Sequence, residues 1–522
     1  MRRFVIVLAL SLFAASSFAQ LSDAIIDKDV RATIEAWHVP GLAIVVVQND
    51  KVIFLKGYGI KEAGKTQPVT ADTLFEIGST TKAFTATAMA MLADEKKLSW
   101  DDPVRNYVAG FHVSDPCTDA LITLRDIASH RSGVARHDEL WDDSDFARDE
   151  LIRRIGAMKV WRPIRAGYQY NNLMFVTAGE AAASAAKMPW EQLIRTRIFA
   201  PLGMTESRIT FAEWPSSDHA TGHRWSSKGQ WAAIQPMRNY DALAPAGTIK
   251  SSAHDMAQWL RFQLAGGAID GKRLMSLSAI EETHTPQTII PIGPASRLLY
   301  PDMNFLTYGL GWNISDYHGE LLVAHAGALN GFRTNVALLP KRNLGIVILE
   351  NVGRGTALAA LRNTIIDQFL GVPARDWNTD MLDAEKFEEA KANDKQAERE
   401  AKRVTAPKPS HDLPAFAGTY HNAGFGDATI TAASDALTLH WERLTIPLVH
   451  ENYDTFSAID TTEDIDEPVQ FKLGADGAVV GFTLFGEEFG AVRKEDGSRG
   501  AAEARRPSSP FSASPRLRVN RF

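Results

Sequence analysis

The chain is poor in cysteine and in long apolar runs, and each scarcity excludes a class of structure. Cys117 is the only cysteine among 522 residues, so no intrachain disulfide and no cluster of cysteine metal ligands can form. After residues 4–13, no stretch approaches the about 20 apolar residues that a membrane-spanning helix needs. The zinc-binding pattern His-Glu-x-x-His is also absent. We therefore expect no thiolate or zinc site.

The charge balance of the chain is mild. It has 56 basic and 63 acidic residues, a formal net charge of −7. This argues against a nucleic-acid partner, because proteins that bind nucleic acids carry strongly basic surfaces. With 522 residues the chain exceeds the size of a single hydrophobic core, so we expect at least two domains.

The N-terminus has the pattern of a secretory signal. Arg2 and Arg3 precede the apolar residues 4–13, and Ser17 and Ala19 supply small side chains before a cut at Gln20. We predict that residues 1–19 are removed, which leaves no membrane span. The mature protein would then be periplasmic or secreted.

Apolar patterns predict a large domain over residues 20–375. β-rich runs lie near both of its ends, at 42–55 and 321–350, and helical patterns fill the middle. We predict an α/β (α+β) fold in which distant segments form one antiparallel sheet. Helices would flank this sheet, with a helical subdomain inserted between its strands.

Three further segments follow this domain. Residues 376–412 are dense in Lys, Glu, Asp and Ala, which predicts a charged linker helix. Short alternating β runs over residues 413–495 predict a small antiparallel β-barrel. Residues 496–522 are rich in Arg, Ser and Pro and are predicted to be disordered.

Three short strings carry candidate chemistry: Ser79-Thr-Thr-Lys82, Tyr170-Asn-Asn172 and His325-Ala-Gly327. Residues i and i+3 share a helix face, so a helix beginning at Ser79 places the Lys82 amine beside the Ser79 hydroxyl. A serine is a weak nucleophile until a base takes its proton, and a lysine can serve only if its charged form is disfavoured. The strings therefore predict a serine acyl-transfer site.

Two of these strings occur a second time. Ser184-Ala-Ala-Lys187 falls late in a predicted helix, and Tyr420-His-Asn422 falls in the predicted β-barrel. We interpret the first as structural, because it has no partner strings placed after it, and we expect the second to lie at the surface of the barrel.

The strings and their surroundings resemble the serine β-lactamase and penicillin-binding protein superfamily, in its class C-like branch. The resemblance rests on the segments 75–84, 127–133, 308–312 and 325–332 and covers residues 22–372. The β-rich segment resembles, more weakly, the lipocalin-like C-terminal domains of D-aminopeptidases in that branch.

This resemblance implies a role for each matching residue. Ser79 would attack a carbonyl, and Lys82 with Tyr170 would shuttle its proton. Tyr170 could act as a base only if cations lowered its pKa from about 10. Asn172 would hydrogen-bond the substrate amide or Lys82. The remaining roles are a backbone oxyanion hole at Ser79 and Ala328, a third-motif catalytic role for His325, and substrate binding by Gly327 and Asn330.

The third string departs from the β-lactamases of that branch, which carry Lys-Thr-Gly there. His325 replaces the lysine, as in D-peptidases and esterases of the branch, and a histidine is only partly charged at neutral pH. The resemblance thus implies a cofactor-free serine hydrolase for D-amino-acid or cell-wall-type peptides, or for small esters. A weak β-lactamase and a non-catalytic penicillin or peptidoglycan sensor are the other readings, and the sequence leaves homo-oligomerisation open.

Overall fold

The computed structural model describes residues 22–214, 218–226, 229–234, 237–353, 355–401, 407–460 and 465–492. The predicted signal segment, residues 1–19, and the predicted tail, residues 496–522, lie outside the described residues. The chain divides into two compact units, and the second begins at Pro407.

The helices lie in the first unit, with the longest ones at its two ends and at its centre. They are α1 (Asp23–Trp37), α2 (Thr81–Asp94), α3 (Pro116–Leu121), α4 (Leu124–Ala128), α5 (Glu139–Asp142), α6 (Arg148–Arg154), α7 (Asn172–Ala186), α8 (Trp190–Ile194), α9 (Ala200–Leu202), α10 (Ala244–Gly247), α11 (Ala253–Leu264), α12 (Leu277–Thr283), α13 (Pro294–Leu299), α14 (Ala357–Leu370) and α15 (Trp377–Ala401).

The strands of the first unit fall mainly at its two ends. They are β1 (Gly41–Gln48), β2 (Lys51–Gly59), β3 (Phe75–Glu76), β4 (His223–Trp225), β5 (Trp231–Ala233), β6 (Lys250–Ser251), β7 (Ala268–Ile269), β8 (Lys272–Arg273), β9 (Thr288–Ile289), β10 (Leu306–Tyr308), β11 (Asn313–Tyr317), β12 (Glu320–Leu329), β13 (Phe332–Leu339) and β14 (Leu344–Glu350).

Eight of these strands form the main sheet, in the order β2-β1-β14-β13-β12-β11-β10-β9. Every neighbouring pair is antiparallel, and β1 joins β14 although about 300 residues separate them in sequence. Side chains of α1 and α14 form one core with the sheet, and α11 packs against β1 and β14. Burial of both faces explains why β1 is apolar from Leu42 to Val47 and does not alternate. The predicted fold class is confirmed.

A helical part lies between β2 and β9 and centres on α2. Residues Thr81–Leu92 are all buried, so this part of α2 is an interior helix without a solvent-exposed face. Helices α7, α10 and α12 pack against it. One detail differs from the prediction: the helix does not begin at Ser79. Residues Gly78–Thr80 form a 3₁₀ turn, and α2 continues from Thr81.

The second unit is a closed antiparallel barrel of eight strands. Aromatic rings fill its interior, including Phe416, Tyr420, Phe471 and Phe482. The predicted small barrel is confirmed, but the expectation that Tyr420 lies at its surface is wrong, since this side chain is buried among the other rings. Its strands are β15 (Gly418–Asn422), β16 (Gly426–Ala433), β17 (Ala436–Trp441), β18 (Leu444–Asn452), β19 (Thr455–Asp460), β20 (Ile465–Leu473), β21 (Val479–Leu484) and β22 (Glu487–Ala491).

Candidate active site

The three strings come together in the first unit. Ser79 lies on the 3₁₀ turn before α2, and Lys82 lies in the first turn of α2. Asn172 begins α7, with Tyr170 two residues before it, and His325 lies on β12. Segments separated by as many as 246 residues in sequence thus meet around one serine hydroxyl.

Lys82 is fully buried and contacts three oxygen atoms. Its Nζ lies 2.9 Å from Ser79 Oγ, 2.7 Å from Asn172 Oδ1 and 2.8 Å from the Ala246 carbonyl oxygen. Burial lowers the pKa of Lys82 well below 10.5, and the nearby Arg136 charge lowers it further, whereas the Asp138 carboxylate raises it. The environment therefore favours a neutral amine.

If Lys82 is neutral, its two N–H groups and its lone pair can each be assigned to one of these three oxygen atoms. The amide oxygen of Asn172 and the carbonyl oxygen of Ala246 can only accept, so they take the two N–H groups of the amine. The nitrogen lone pair is left for the hydroxyl proton of Ser79. This is the arrangement that a general base needs.

The pKa of Tyr170 is shifted in the opposite direction from that of Lys82. Burial raises the pKa of its phenol well above 10, although a hydrogen bond with Ser79 and the charge of Arg136 both act to lower it. Lys82 Nζ lies 4.9 Å from the Tyr170 ring centroid. The phenol therefore keeps its proton. This favours Lys82 as the base and Tyr170 as a proton donor, rather than the shared base that the resemblance implied.

Two neighbouring asparagines hold α7 against this site. Asn171 caps α7 through Oδ1, which accepts from the Met174 N–H at 3.1 Å, and its Nδ2 donates to the carbonyl oxygens of Val134 and Ala135. Asn172 Nδ2 donates to Asp138 Oδ1 at 2.9 Å. With both ends of its amide bonded, Asn172 has a fixed orientation toward Lys82.

Two glycines let β12 approach the Ser79 turn. A Cβ atom on Gly327 would lie 1.9 Å from the Ile77 carbonyl oxygen and 3.2 Å from Ser79 N. Gly78 has φ +52°, and a Cβ on it would lie 2.4 Å from Ala328 N. These close approaches bring β12 against the Ser79 turn, so the backbone nitrogens of Ser79 and Ala328 lie in the same small region; the oxyanion hole that they would form stays a prediction.

His325 is buried and held from both sides. Tyr308 Oη lies 2.9 Å from its Nε2, and its Nδ1 lies 2.6 Å from the Ala326 carbonyl oxygen. Since a carbonyl only accepts, Nδ1 carries the proton and Nε2 accepts from Tyr308. Burial lowers the pKa of His325 to about 3, with a contribution from Lys82. His325 therefore contributes no positive charge at neutral pH.

Comparison with known proteins assigns the chain to a family. The model of the family described as Beta-lactamase matches residues 26–370, about two thirds of the chain. The chain belongs to the Beta-lactamase family. Residues 402–497 match a domain of unknown function, DUF3471. The family assignment supports a serine hydrolase at the level of the superfamily.

The individual proteins that the chain resembles share less than a third of its sequence. The chain is 29% identical over 474 residues to Unguisins hydrolase ungD' of Aspergillus campestris, covering 86% of each chain. It is 27% identical to Protein flp of Staphylococcus aureus, covering 63% of this chain and 62% of that protein. The octameric penicillin-binding protein homologue from Pyrococcus abyssi is similar in fold, with a TM-score of 0.60, 21% identity and coverage of 90% of this chain and 99% of that one.

Several residues that surround Ser79 and Lys82 in this chain were not predicted from the sequence. Arg136, Asp138 and Ala246 carry no pattern that reveals their contacts, because each lies on an irregular connection or a four-residue helix. Tyr308 stands in one of the segments that carried the resemblance, so a signal existed for it. His130 lies in another of those segments, and it is buried with its ring centroid 4.2 Å from that of Tyr170.

Asn330 does not present its amide to the site as a free donor. Its Nδ2 donates to the buried Glu76 Oε2 at 3.0 Å, in the turn between β12 and β13. This contact supports a role in holding the end of β12. Its proposed contact with substrate stays a prediction.

Other motif matches lie outside the site. Lys187 is the left-handed cap that follows α7, so the second Ser-x-x-Lys string does not continue on one helix. Residues 59–66 fit a nucleotide phosphate-loop pattern, but no helix follows them and Lys65 pairs with Glu62 at 2.8 Å. Among the described residues, no group of three His, Cys, Asp or Glu side chains could hold a metal ion. No helix in the described ranges is long and apolar enough to cross a membrane.

Proposed function

We propose that this protein cleaves an amide or ester bond through an acyl intermediate on Ser79, most favourably in D-amino-acid or cell-wall-type peptides. The observation that carries the proposal is the buried Lys82 amine, whose nitrogen lies 2.9 Å from Ser79 Oγ and whose pKa is lowered by burial. The name of the relative Unguisins hydrolase supports hydrolysis as the reaction class.

The reaction would begin with transfer of the Ser79 proton to Lys82 as Oγ attacks the substrate carbonyl. The N–H groups of Ser79 and Ala328 would stabilise the negative charge on the carbonyl oxygen. The Tyr170 hydroxyl would give a proton to the leaving amine or alcohol and regain one from Lys82. Water would then attack the acyl-Ser79 ester, with the same groups working in reverse.

Several finer features belong to the same proposal. We place the protein in the class C-like branch and its barrel with lipocalin-like C-terminal domains. We also propose domain limits of 20–375, 376–412 and 413–495, export to the periplasm or the medium after loss of residues 1–19, and a small peptide or ester substrate. The octameric state of the Pyrococcus abyssi homologue supports a test for homo-oligomers here.

A small-ester esterase is the second candidate, and the state of His325 favours both it and the peptidase over a β-lactamase. A neutral imidazole bonded to Tyr308 supplies no charge for a β-lactam carboxylate at the third motif. The sensor reading is disfavoured, because Ser79, Lys82, Tyr170 and Asn172 are all present and in contact.

The test is turnover by the mature protein across one panel, with Ser79→Ala beside it. The panel holds nitrocefin, p-nitrophenyl acetate and butyrate, D-alanine p-nitroanilide and a D-Ala-D-Ala peptide. Ser79-dependent cleavage of the D-amino substrates would support the peptidase, and cleavage of the esters alone would favour the esterase. Absence of turnover and of acylation on every substrate would overturn the proposal and favour the sensor.

A further inference from the structure

Arg136 lies beside the catalytic groups and has no role in the mechanism above. Its Cζ atom lies 5.1 Å from the centroid of the Tyr170 ring. Tyr170 in turn shares a side-chain hydrogen bond with Ser79. The same charge acts on the pKa of Lys82 and of Tyr168. Arg136 is therefore within electrostatic reach of the reacting serine.

Half of the Arg136 side chain remains available to solvent. Its exposed fraction is 49%, and its Nε donates to Asp138 Oδ2 at 2.5 Å. Within the described residues, neither of its two Nη atoms has a hydrogen-bond partner. An arginine fixed through Nε alone presents both Nη groups as a fork, which matches a carboxylate in geometry.

Asp138 fixes the guanidinium without occupying that fork. Its Oδ1 accepts from Asn172 Nδ2 at 2.9 Å and from Trp141 Nε1 at 2.8 Å, and its Oδ2 accepts from Arg136. The carboxylate is thus tied to the start of α7, which also places Asn172. Arg136 is positioned by the same contacts that position the catalytic groups.

The other basic groups in this site carry no charge that an anion could use. Lys82 is fully buried with its nitrogen bonded to three oxygens, and His325 has both ring nitrogens bonded within the protein. His130 is buried, and its Nδ1 accepts from the Asn171 N–H at 3.1 Å, so that nitrogen is unprotonated. A substrate anion that reaches this site would meet Arg136.

We propose that the free guanidinium fork of Arg136 binds a carboxylate of the substrate and makes the enzyme selective for carboxylate-bearing peptides or esters. This inference rests on the proposed hydrolase function and deepens it by naming a substrate class. The carboxylate could stand on the leaving group, as the free C-terminus of a peptide, or on the acyl group. Two matched substrate pairs distinguish these sources.

The test compares wild type with Arg136→Gln and Arg136→Lys on both pairs. The first pair is N-acetyl-D-alanyl-D-alanine and its C-terminal amide, and the second is N-succinyl- and N-acetyl-D-alanine p-nitroanilide. Because a charge-assisted hydrogen bond is lost, Arg136→Gln should lower the carboxylate-to-neutral ratio of kcat/KM by about 10- to 100-fold in one pair. The change should lie mainly in KM, and Arg136→Lys should restore part of the ratio.

A binding measurement makes the result independent of turnover. Calorimetry with the Ser79→Ala protein should show tighter binding of N-acetyl-D-alanyl-D-alanine or N-succinyl-D-alanine p-nitroanilide than of its neutral partner, and the difference should vanish when Arg136→Gln is added. Arg297→Gln on α13, an exposed arginine, is the matched control and should change neither ratio.

Equal ratios in wild type and Arg136→Gln, for both pairs and in both assays, would overturn the carboxylate site. If neutral substrates were still cleaved with Ser79 dependence in that case, the proposed function would stand. Absence of Ser79-dependent turnover would count against the proposed function, and calorimetry would still decide the role of Arg136.

Discussion

At the scale of the residue, the protonation state of Lys82 decides whether Ser79 has a base. Burial and Arg136 lower the pKa of Lys82, and Asp138 opposes them. The amine is protonated, and useless as a base, below this lowered pKa. Activity should therefore rise with pH through the pKa of Lys82 and reach a plateau above it.

This relation predicts the effect of removing the Asp138 charge. Asp138→Asn keeps a side chain of the same shape but no longer stabilises the Lys82 cation, so the acid limb of kcat/KM should move to lower pH. The measurement is a pH profile with p-nitrophenyl butyrate, with the exposed Asp302→Asn as control. A shift to higher pH, or none, would count against a neutral Lys82 as the base.

Part of this site could be predicted from the sequence, and the rest could not. The spacing of Ser79 and Lys82 predicted their contact, and the contact forms although Ser79 lies on the 3₁₀ turn before α2. The pKa values of Tyr170 and His325 depend on burial and on partners such as Tyr308, which are distant in sequence. Arg136 and Asp138 were not found, because their roles come from where an irregular loop meets the start of α7.

At the scale of the element, the approach of β12 to the turn before α2 brings together the two backbone nitrogens, of Ser79 and Ala328, that we propose as the oxyanion hole. The β-rich segments 42–55 and 321–350 were predicted from apolar patterns, and both contribute strands to the main sheet. The turn itself was not predicted, since the sequence favours Ser79 as a helix cap and the structure forms a 3₁₀ turn at Gly78–Thr80. Strand β18 contains Pro447, which has no N–H to donate to a neighbouring strand, so its sequence is a weak signal for a strand.

Gly327→Ala tests this approach. The added methyl would lie 1.9 Å from the Ile77 carbonyl oxygen, so β12 must move away from Ser79 and the Ala328 N–H with it. Loss of one oxyanion donor predicts a fall in kcat of about 10²- to 10³-fold. Gly293→Ala, where an added Cβ meets nothing within 4 Å, is the matched control and should leave kcat unchanged. Full activity of Gly327→Ala would show that the close approach is not needed.

At the scale of the whole molecule, the chain has two units with separate cores. The first matches the Beta-lactamase family and the second a domain of unknown function. The candidate catalytic groups described above all belong to the first unit, whereas the barrel interior is filled by its own aromatic rings. Alternation of apolar and polar residues predicted the barrel, but its closure depends on β15 and β22, which are short and were not predicted.

A substitution in the barrel core should therefore affect stability more than catalysis. Phe471→Ala removes a buried ring that contacts Phe416, Phe456 and Phe482, and should lower the free energy of unfolding of the barrel by about 3–5 kcal/mol. Ser79-dependent turnover at 25 °C should stay within about twofold. Denaturant unfolding and ester hydrolysis measure the two effects, with the exposed Tyr453→Ala as control. Loss of turnover in folded Phe471→Ala protein would show that the barrel core takes part in catalysis.

The most direct test of the account is the rate of acylation of Ser79, followed by intact-protein mass spectrometry with an activated neutral ester. If a neutral Lys82 activates Ser79, the wild type should gain one acyl group per chain and Ser79→Ala none. Acylation should be slowed by at least about 10²-fold in Lys82→Met. Acylation of Ser79→Ala at the wild-type rate, or of Lys82→Met as fast as wild type, would contradict the central claim that a neutral Lys82 activates Ser79.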